Sequence, residues 1–448
     1  MAVSLAWLLT GCKFDAAGLG TDSAAGSEGT GTGTGDSSSG EPTTGGSTTA
    51  VGTDTEDLDT GSSGDPCAAG CAPAVGWTNV DAAAGHALVL DAMDDAVVVG
   101  DRVQDGDGEL RDAWVAKFAG ATGERAWENW HDGMSRRTDF ARAVVILPNG
   151  QILIAGMSQE DPDRRQDVWL GWYAPEDGAE LTSSNLGTAH WNGDDVELDE
   201  SARALAVDPA GDLLVGGTRC YIPCEVPDAW IGRFTSEGKS IWDDPMQSPG
   251  QGIVRALVGV GTDLIAAGTD GYDDAPGQWR SLIRRFDGQG GGLWSASKEE
   301  PSKVDYDATA VVLAGDGRLW VVGRELADDA APARGFVRLY QPDRVFEPVL
   351  ERRGDDLDGE PRALALGADG RVVVTGVAGA GGERHLFLAG FDGELAPLWR
   401  IDEPADEVTS GRGVARTASG DLVVLGQLER LDGRPATTWL RRYITAAP

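Results

Sequence analysis

The chain has 448 residues and carries 73 acidic against 37 basic side chains, a formal net charge of −36. A field of that sign excludes nucleic acid as a partner, because no basic stripe offsets it, and it repels anionic surfaces. Beyond the first residues no stretch approaches the run of about 18 apolar residues that a membrane-spanning helix needs.

The chain begins MAVSLAWLLTGC. Its run Leu9-Thr10-Gly11-Cys12 resembles the lipobox that ends the signal peptide of bacterial lipoproteins. The resemblance implies that residues 1–12 are a lipoprotein signal and its lipobox, and that Cys12 carries lipid on its sulfur. It further implies an exported protein of the cell envelope, at the outer membrane or cell surface, that meets the membrane through this anchor alone.

Residues 13–65 are dominated by Gly, Ser, Thr, Ala and acids. Such a segment cannot bury a core and is expected to be a disordered linker. At a mean span of about 40 Å it reads as a tether. With Cys12 lipidated, Cys67, Cys71, Cys220 and Cys224 remain. An even number in an exported chain suggests disulfides, and three connectivities are open. Cys67–Cys71 and Cys220–Cys224 are favoured, since Gly70 and Pro223 can turn the chain within each pair. The rival is a four-thiolate zinc site, which needs a reducing compartment.

From residue 66 to the end a block recurs seven times. A small residue stands in its first apolar run at Ala87, Ala143, Ala204, Ala256, Ala310, Ala363 and Gly413. A glycine closes the second run at Gly100, Gly156, Gly217, Gly268, Gly323, Gly376 and Gly426. Turn pairs such as Asn149-Gly150 and Asp316-Gly317 lie between them and supply the positive φ of tight hairpins. A third run ends in an aromatic: Phe118, Tyr173, Phe234, Phe286, Tyr340, Phe391 or Tyr443. Four residues earlier stands another large apolar residue, so period two sets the pair on one face of a strand. Apolar character on both faces asks for cover on both sides. A fourth run carries Trp127, Trp242, Trp294 or Trp399, with Leu181 and Phe346 in the other two places. The seventh copy lacks this run, and VGWTNVD (75–81), with Trp77, supplies it from upstream. A repeat of about fifty residues built from strands predicts an all-β, seven-bladed β-propeller whose N-terminal strand closes the last blade. A monomer is expected.

The stretches DAWVAKFAGATGERAW (112–127), DAWIGRFTSEGKSIW (228–242) and ARALAVDPAGDLLVGG (202–217) resemble the SBBP-type repeats of bacterial propellers, and more loosely delta-60 repeats. That resemblance implies the fold over nearly all of 75–448 and little about function, since propellers host unrelated activities.

The residue before each small first-strand residue is His86, Arg142, Arg203, Arg255, Thr309, Arg362 or Arg412. The first strand of a blade is innermost, so these side chains are expected to ring the mouth of the central channel. Such a ring can bind an anionic group, for example a carboxylate of a glycan or peptide. Alternatively it can pair between blades with nearby acids such as Asp139, Glu200 and Glu360. In the acidic loop 101–112, Asp105, Asp107 and Glu109 alternate with glycines, which lets oxygens converge on calcium, without a full EF-hand pattern. No other cofactor is expected. The four His residues are scattered, and no nucleophile elbow, P-loop or dinucleotide fingerprint is present, so no catalytic residue is assigned. The expected function is a binding module for a protein or polysaccharide ligand. The alternatives are an envelope hydrolase or lyase acting on glycans or lactones at the channel mouth, and a surface protein with no specific ligand.

Overall fold

The computed structural model describes residues 72–445 except 105–109, 134–136, 160–165, 187–197, 222–226, 246–251, 273–274, 298–304, 327–333, 342–347, 380–382, 404–407 and 430–435. Cys12, Cys67, Cys71, Cys224, Asp105, Asp107, Glu109 and Phe346 lie outside the described residues.

The described residues form seven four-stranded antiparallel sheets, each a blade of a β-propeller. Blades one to six cover 84–131, 140–185, 198–245, 252–297, 305–358 and 360–402. Blade seven takes three strands from 408–444 and its fourth from Ala74–Asp81. Each blade's first strand touches that of the next, and blade seven's touches blade one's, so the ring closes.

Seven hydrophobic cores fill the seven blade interfaces. Strand alternation explains how one third strand serves two of them. In blade two, Trp169 and Tyr173 pack toward blade one, whereas Leu170 packs toward blade three. In blade three, Trp230 and Phe234 face blade two and Ile231 faces blade four. The second strands are sandwiched as well, and Ile152–Ser158 is buried along its whole length. Removal of one of these large rings costs about 3–5 kcal/mol.

The closing strand repeats the geometry of the other blades. Trp77 lies opposite Arg442, one residue before the terminal aromatic Tyr443, as Trp127 lies opposite Lys117 before Phe118. Its indole donates to the Gly120 carbonyl at 3.0 Å, and the Asn79 amide donates to the Gly123 carbonyl at 2.8 Å. Trp127 and Asn129 make the equivalent bonds to Pro175 and Gly178 of blade two. Gly123 has φ +73° and its Cβ position lies 2.3 Å from the Trp77 ring, so this turn requires glycine on two counts.

Two fourth-strand assignments change. In blade two Thr182, opposite Trp172, occupies the tryptophan position, and Leu181 is a half-exposed residue at a bulge. In blade five the fourth strand is Leu350–Asp358, and Leu350 opposite Leu339 takes the place expected for Phe346.

Candidate functional site

All seven ring residues sit in one backbone feature. The pairing of first and second strands slips by one residue between Gly85 and Ala87, Ala141 and Ala143, Ala202 and Ala204, and Val254 and Ala256. It slips again between Ala308 and Ala310, Pro361 and Ala363, and Gly411 and Gly413. The skipped residues are His86, Arg142, Arg203, Arg255, Thr309, Arg362 and Arg412. Each is the extra residue of a β-bulge, without a cross-strand partner, and a bulge re-aims its side chain. All seven are half-buried. They lie at the end of the blades that carries the connections between second and third strands, since Ala141 pairs with Gly156 and the loop follows at Ser158.

The bulge also explains the repeated glycine. A Cβ at Gly156 would stand 1.8 Å from the Phe140 carbonyl oxygen, and one at Gly268 1.8 Å from that of Ile253. Gly100, Gly217, Gly323 and Gly376 face the oxygens of Ala84, Ser201, Asp307 and Glu360 at 1.9–2.1 Å. In each case the oxygen belongs to the residue two before the ring residue. Only a glycine lets the bulged strand come this close. In blade seven the nearest atoms to Gly426 are instead those of the Trp439 ring, at 2.1 Å.

The ring residues divide by their partners. His86 Nε2 bonds Asp101, which also receives Arg111 Nη1 at 2.5 Å. Arg255 Nε donates to Asp307 at 2.7 Å, and Arg324 Nε donates to the other Asp307 oxygen at 3.3 Å. Arg362 reaches Glu360 at 3.5 Å, and Arg412 donates to the Gln427 amide oxygen at 2.8 Å. Thr309 donates to the carbonyls of Val322 and Pro361, so its hydroxyl serves the backbone. Arg142 and Arg203 form no ion pair or hydrogen bond among the described residues. Arg142 lies 4.5 Å from the Phe140 ring centre, and Arg203 Nε is buried with no hydrogen-bond partner.

Two of the three acids expected to neutralise the ring do not. The Asp139 carboxylate accepts the amides of Gly133 and Gln159, at 2.9 and 3.1 Å, and Glu200 pairs with Arg219. Both serve their own loop ends. Only Glu360 takes a ring arginine. The acids that do act, Asp101 and Asp307, escaped the sequence reading. Asp101 directly follows the glycine that closes the second run in blade one, and Asp307 stands two residues before Thr309.

Burial governs the electrostatics. Desolvation and the nearby Arg142 cation lower the His86 pKa to about 4, against the opposing pull of Asp101. Burial lowers Arg203 to about 9, and the cations Arg142 and Arg255 on either side add to the shift. Arg142 is lowered by burial and by Arg111, while Asp101 acts in the opposite sense. These couplings run from blade to blade, so neighbouring ring side chains lie within electrostatic reach of one another.

The remaining histidines do not join this site. His131 stacks on Trp169 at 4.5 Å and meets Glu180, and His385 meets Asp402. His190 lies outside the described residues. Cys220 is buried and disulfide-bonded, with its partner outside the described residues. Among the described residues no group of three His, Cys, Asp or Glu side chains is placed to hold a metal ion.

No family model matches the chain, and no curated protein matches it. Solved structures do. An ulvan lyase of a polysaccharide lyase family, bound to -[GlcA(1-4)Rha3S]-, is similar at TM-score 0.51 and 9% identity, over 83% of this chain and 96% of that one. A Dyadobacter fermentans protein of unknown function is similar at TM-score 0.48 and 13% identity, over 69% and 95% of the two chains. The β-propeller domain of the Trilobed protease from Pyrococcus furiosus is similar at TM-score 0.43 and 14% identity, over 83% and 98%. At these identities the likeness is one of fold.

Proposed function

We propose that this chain is a binding module of the cell envelope, lipid-anchored through Cys12, whose propeller holds a protein or polysaccharide ligand at the channel mouth. One observation carries the reading: six bulges place five arginines and one histidine on the first strands, at the end of the ring that bears the variable loops. A scaffold needs no bulge to place a cation, and bulges concentrate beside functional sites. Loops at such a rim are where binding surfaces are grafted. The repeats resemble SBBP-type repeats in sequence alone. The linker 13–65 fits a tether, and a Cys220–Cys224 disulfide would staple one rim loop.

The His86–Asp101 pair favours a second reading, an envelope hydrolase or lyase with His86 as proton acceptor. Its pKa of about 4 argues against it, because an efficient base titrates near the working pH.

A glycan array and an envelope-protein pull-down with the purified chain, each with and without calcium, test the binding reading. Saturable retention of one ligand class upholds it. Release of shortened or unsaturated oligosaccharides favours the enzyme, and neither outcome leaves a surface protein without a ligand. Palmitate-analogue labelling that persists in Cys12→Ser would remove the anchor from the proposal.

A further inference from the structure

We infer that Arg142 and Arg203, on the adjacent inner strands of blades two and three, form a clamp for the carboxylate of an acidic saccharide. This rests on the binding reading and names its subsite.

The ring is not uniformly charged in effect. On one side of the pair, Asp101 compensates Arg111 and holds the His86 ring. On the other side, Asp307 compensates Arg255 and Arg324. Between these two acids stand two arginines with no anion in contact. The chain has acids to spare, and two lie close by in sequence. Asp139 and Glu200 are nevertheless engaged elsewhere, by the amides of Gly133 and Gln159 and by Arg219. In a chain with 73 acidic residues, these two neighbouring ring cations have no anion in contact among the described residues.

The pair is also unfinished in hydrogen bonding. Arg203 Nε is buried without an acceptor, a state that folded proteins avoid unless a ligand or water completes it. Beside the burial, the Arg142 and Arg255 cations disfavour the charged form of Arg203, and an entering anion relieves this. Guanidinium groups are planar forks that match the two oxygens of a carboxylate. The half-buried Phe140 ring beside Arg142 adds apolar surface to the cations. Cation and aromatic together suit a sugar ring that carries both a carboxylate and C–H bonds, as a uronic acid does.

The test has two arms. In the first, the purified full-length chain is titrated with an oligogalacturonate, a neutral oligosaccharide of equal length, a sulfated oligosaccharide and an acidic peptide. The oligogalacturonate is expected to bind best, to raise the melting temperature by mass action, and to lose affinity about tenfold or more in R142M/R203M. Tighter binding of the sulfated sugar or the peptide, or binding indifferent to the double substitution, overturns the inference. Retention of a different ligand in the array with no response to oligogalacturonate overturns the clamp while leaving the binding module intact.

The second arm needs no ligand. An uncompensated buried cation destabilises the fold, so R203M is expected to melt at the same temperature as the parent or higher. A marked drop would make Arg203 a scaffold residue and overturn the proposal.

Discussion

The Cβ position of Gly217 lies 1.9 Å from the carbonyl oxygen of Ser201, and that approach is what frees Arg203 from the sheet. Gly217→Ala is expected to push the two strands apart, at a cost of about 1–3 kcal/mol from overpacking. Gly211, in the hairpin turn of the same blade, has φ +90° and nothing within 4 Å of its Cβ position. Its alanine variant is expected to cost about 1–2 kcal/mol through backbone strain alone. Urea unfolding of both variants, with ligand binding as a second readout, separates the two: only Gly217→Ala is expected to weaken binding at the ring. Equal effects on binding would dissociate the bulge from the site.

Ring closure depends on Trp77. Trp77→Ala removes an indole that packs on Gly123 and its hydrogen bond to Gly120. A loss of about 3 kcal/mol is expected. Removal of residues 74–81 is expected to lower the melting temperature further, because it exposes the last strand of blade seven as a free edge. An unchanged melt in calorimetry would mean that the ring holds without its velcro strand.

Asp307 binds two cations with a side chain that is only 1% exposed. Asp307→Asn keeps the shape and deletes the charge, leaving Arg255 and Arg324 beside a neutral amide. A destabilisation of about 3 kcal/mol is expected. Asp316→Asn at an exposed turn, where the pair with Arg318 is open to solvent, is expected to change stability by less than about 1 kcal/mol. Chemical denaturation of the two variants side by side checks the contrast.

The pH dependence follows from His86. Its pKa falls from 6.5 in the unfolded chain to about 4 in the fold. Between those values the unfolded state binds more protons, so stability rises with pH. The contribution is complete above about pH 6.5, and it is lost as the pH falls toward 4. It amounts to roughly 3 kcal/mol. Asp101, held below the usual carboxylate range by His86 and the nearby arginines, adds a loss at still lower pH. In His86→Gln the slope between pH 4.5 and 6.5 is expected to flatten, as read from urea midpoints. A parallel slope in both proteins would assign the titration to another group.

The blades were legible in the sequence because packing writes them redundantly. Each third strand must supply an aromatic to one interface and an aliphatic to the other, and Trp169 with Leu170 records both. The closing strand was legible because the seventh copy lacks a fourth run and VGWTNVD (75–81) carries Trp77 in the place of Trp127. The bulges were not, since a single extra residue leaves no gap in an apolar run. Their trace is the glycine one strand later, which reads as a hairpin feature until its contact with the first-strand carbonyl is seen. The acids of the ring were misjudged for a related reason. Asp139 and Glu200 are close to Arg142 and Arg203 in sequence, yet their carboxylates are committed to loop amides and to Arg219. The loops themselves differ from blade to blade, so no periodicity speaks for them.

A residue with no partner across the sheet can be exchanged without disturbing its neighbours' register. The seven bulges therefore work as seven interchangeable sockets, presently filled by His, Arg, Arg, Arg, Thr, Arg and Arg in blade order. The side chain can be changed at one socket at a time while the blades beneath keep their packing. Thr309 illustrates the freedom: its hydroxyl turns to the Val322 and Pro361 carbonyls, and the ring closes around an uncharged position.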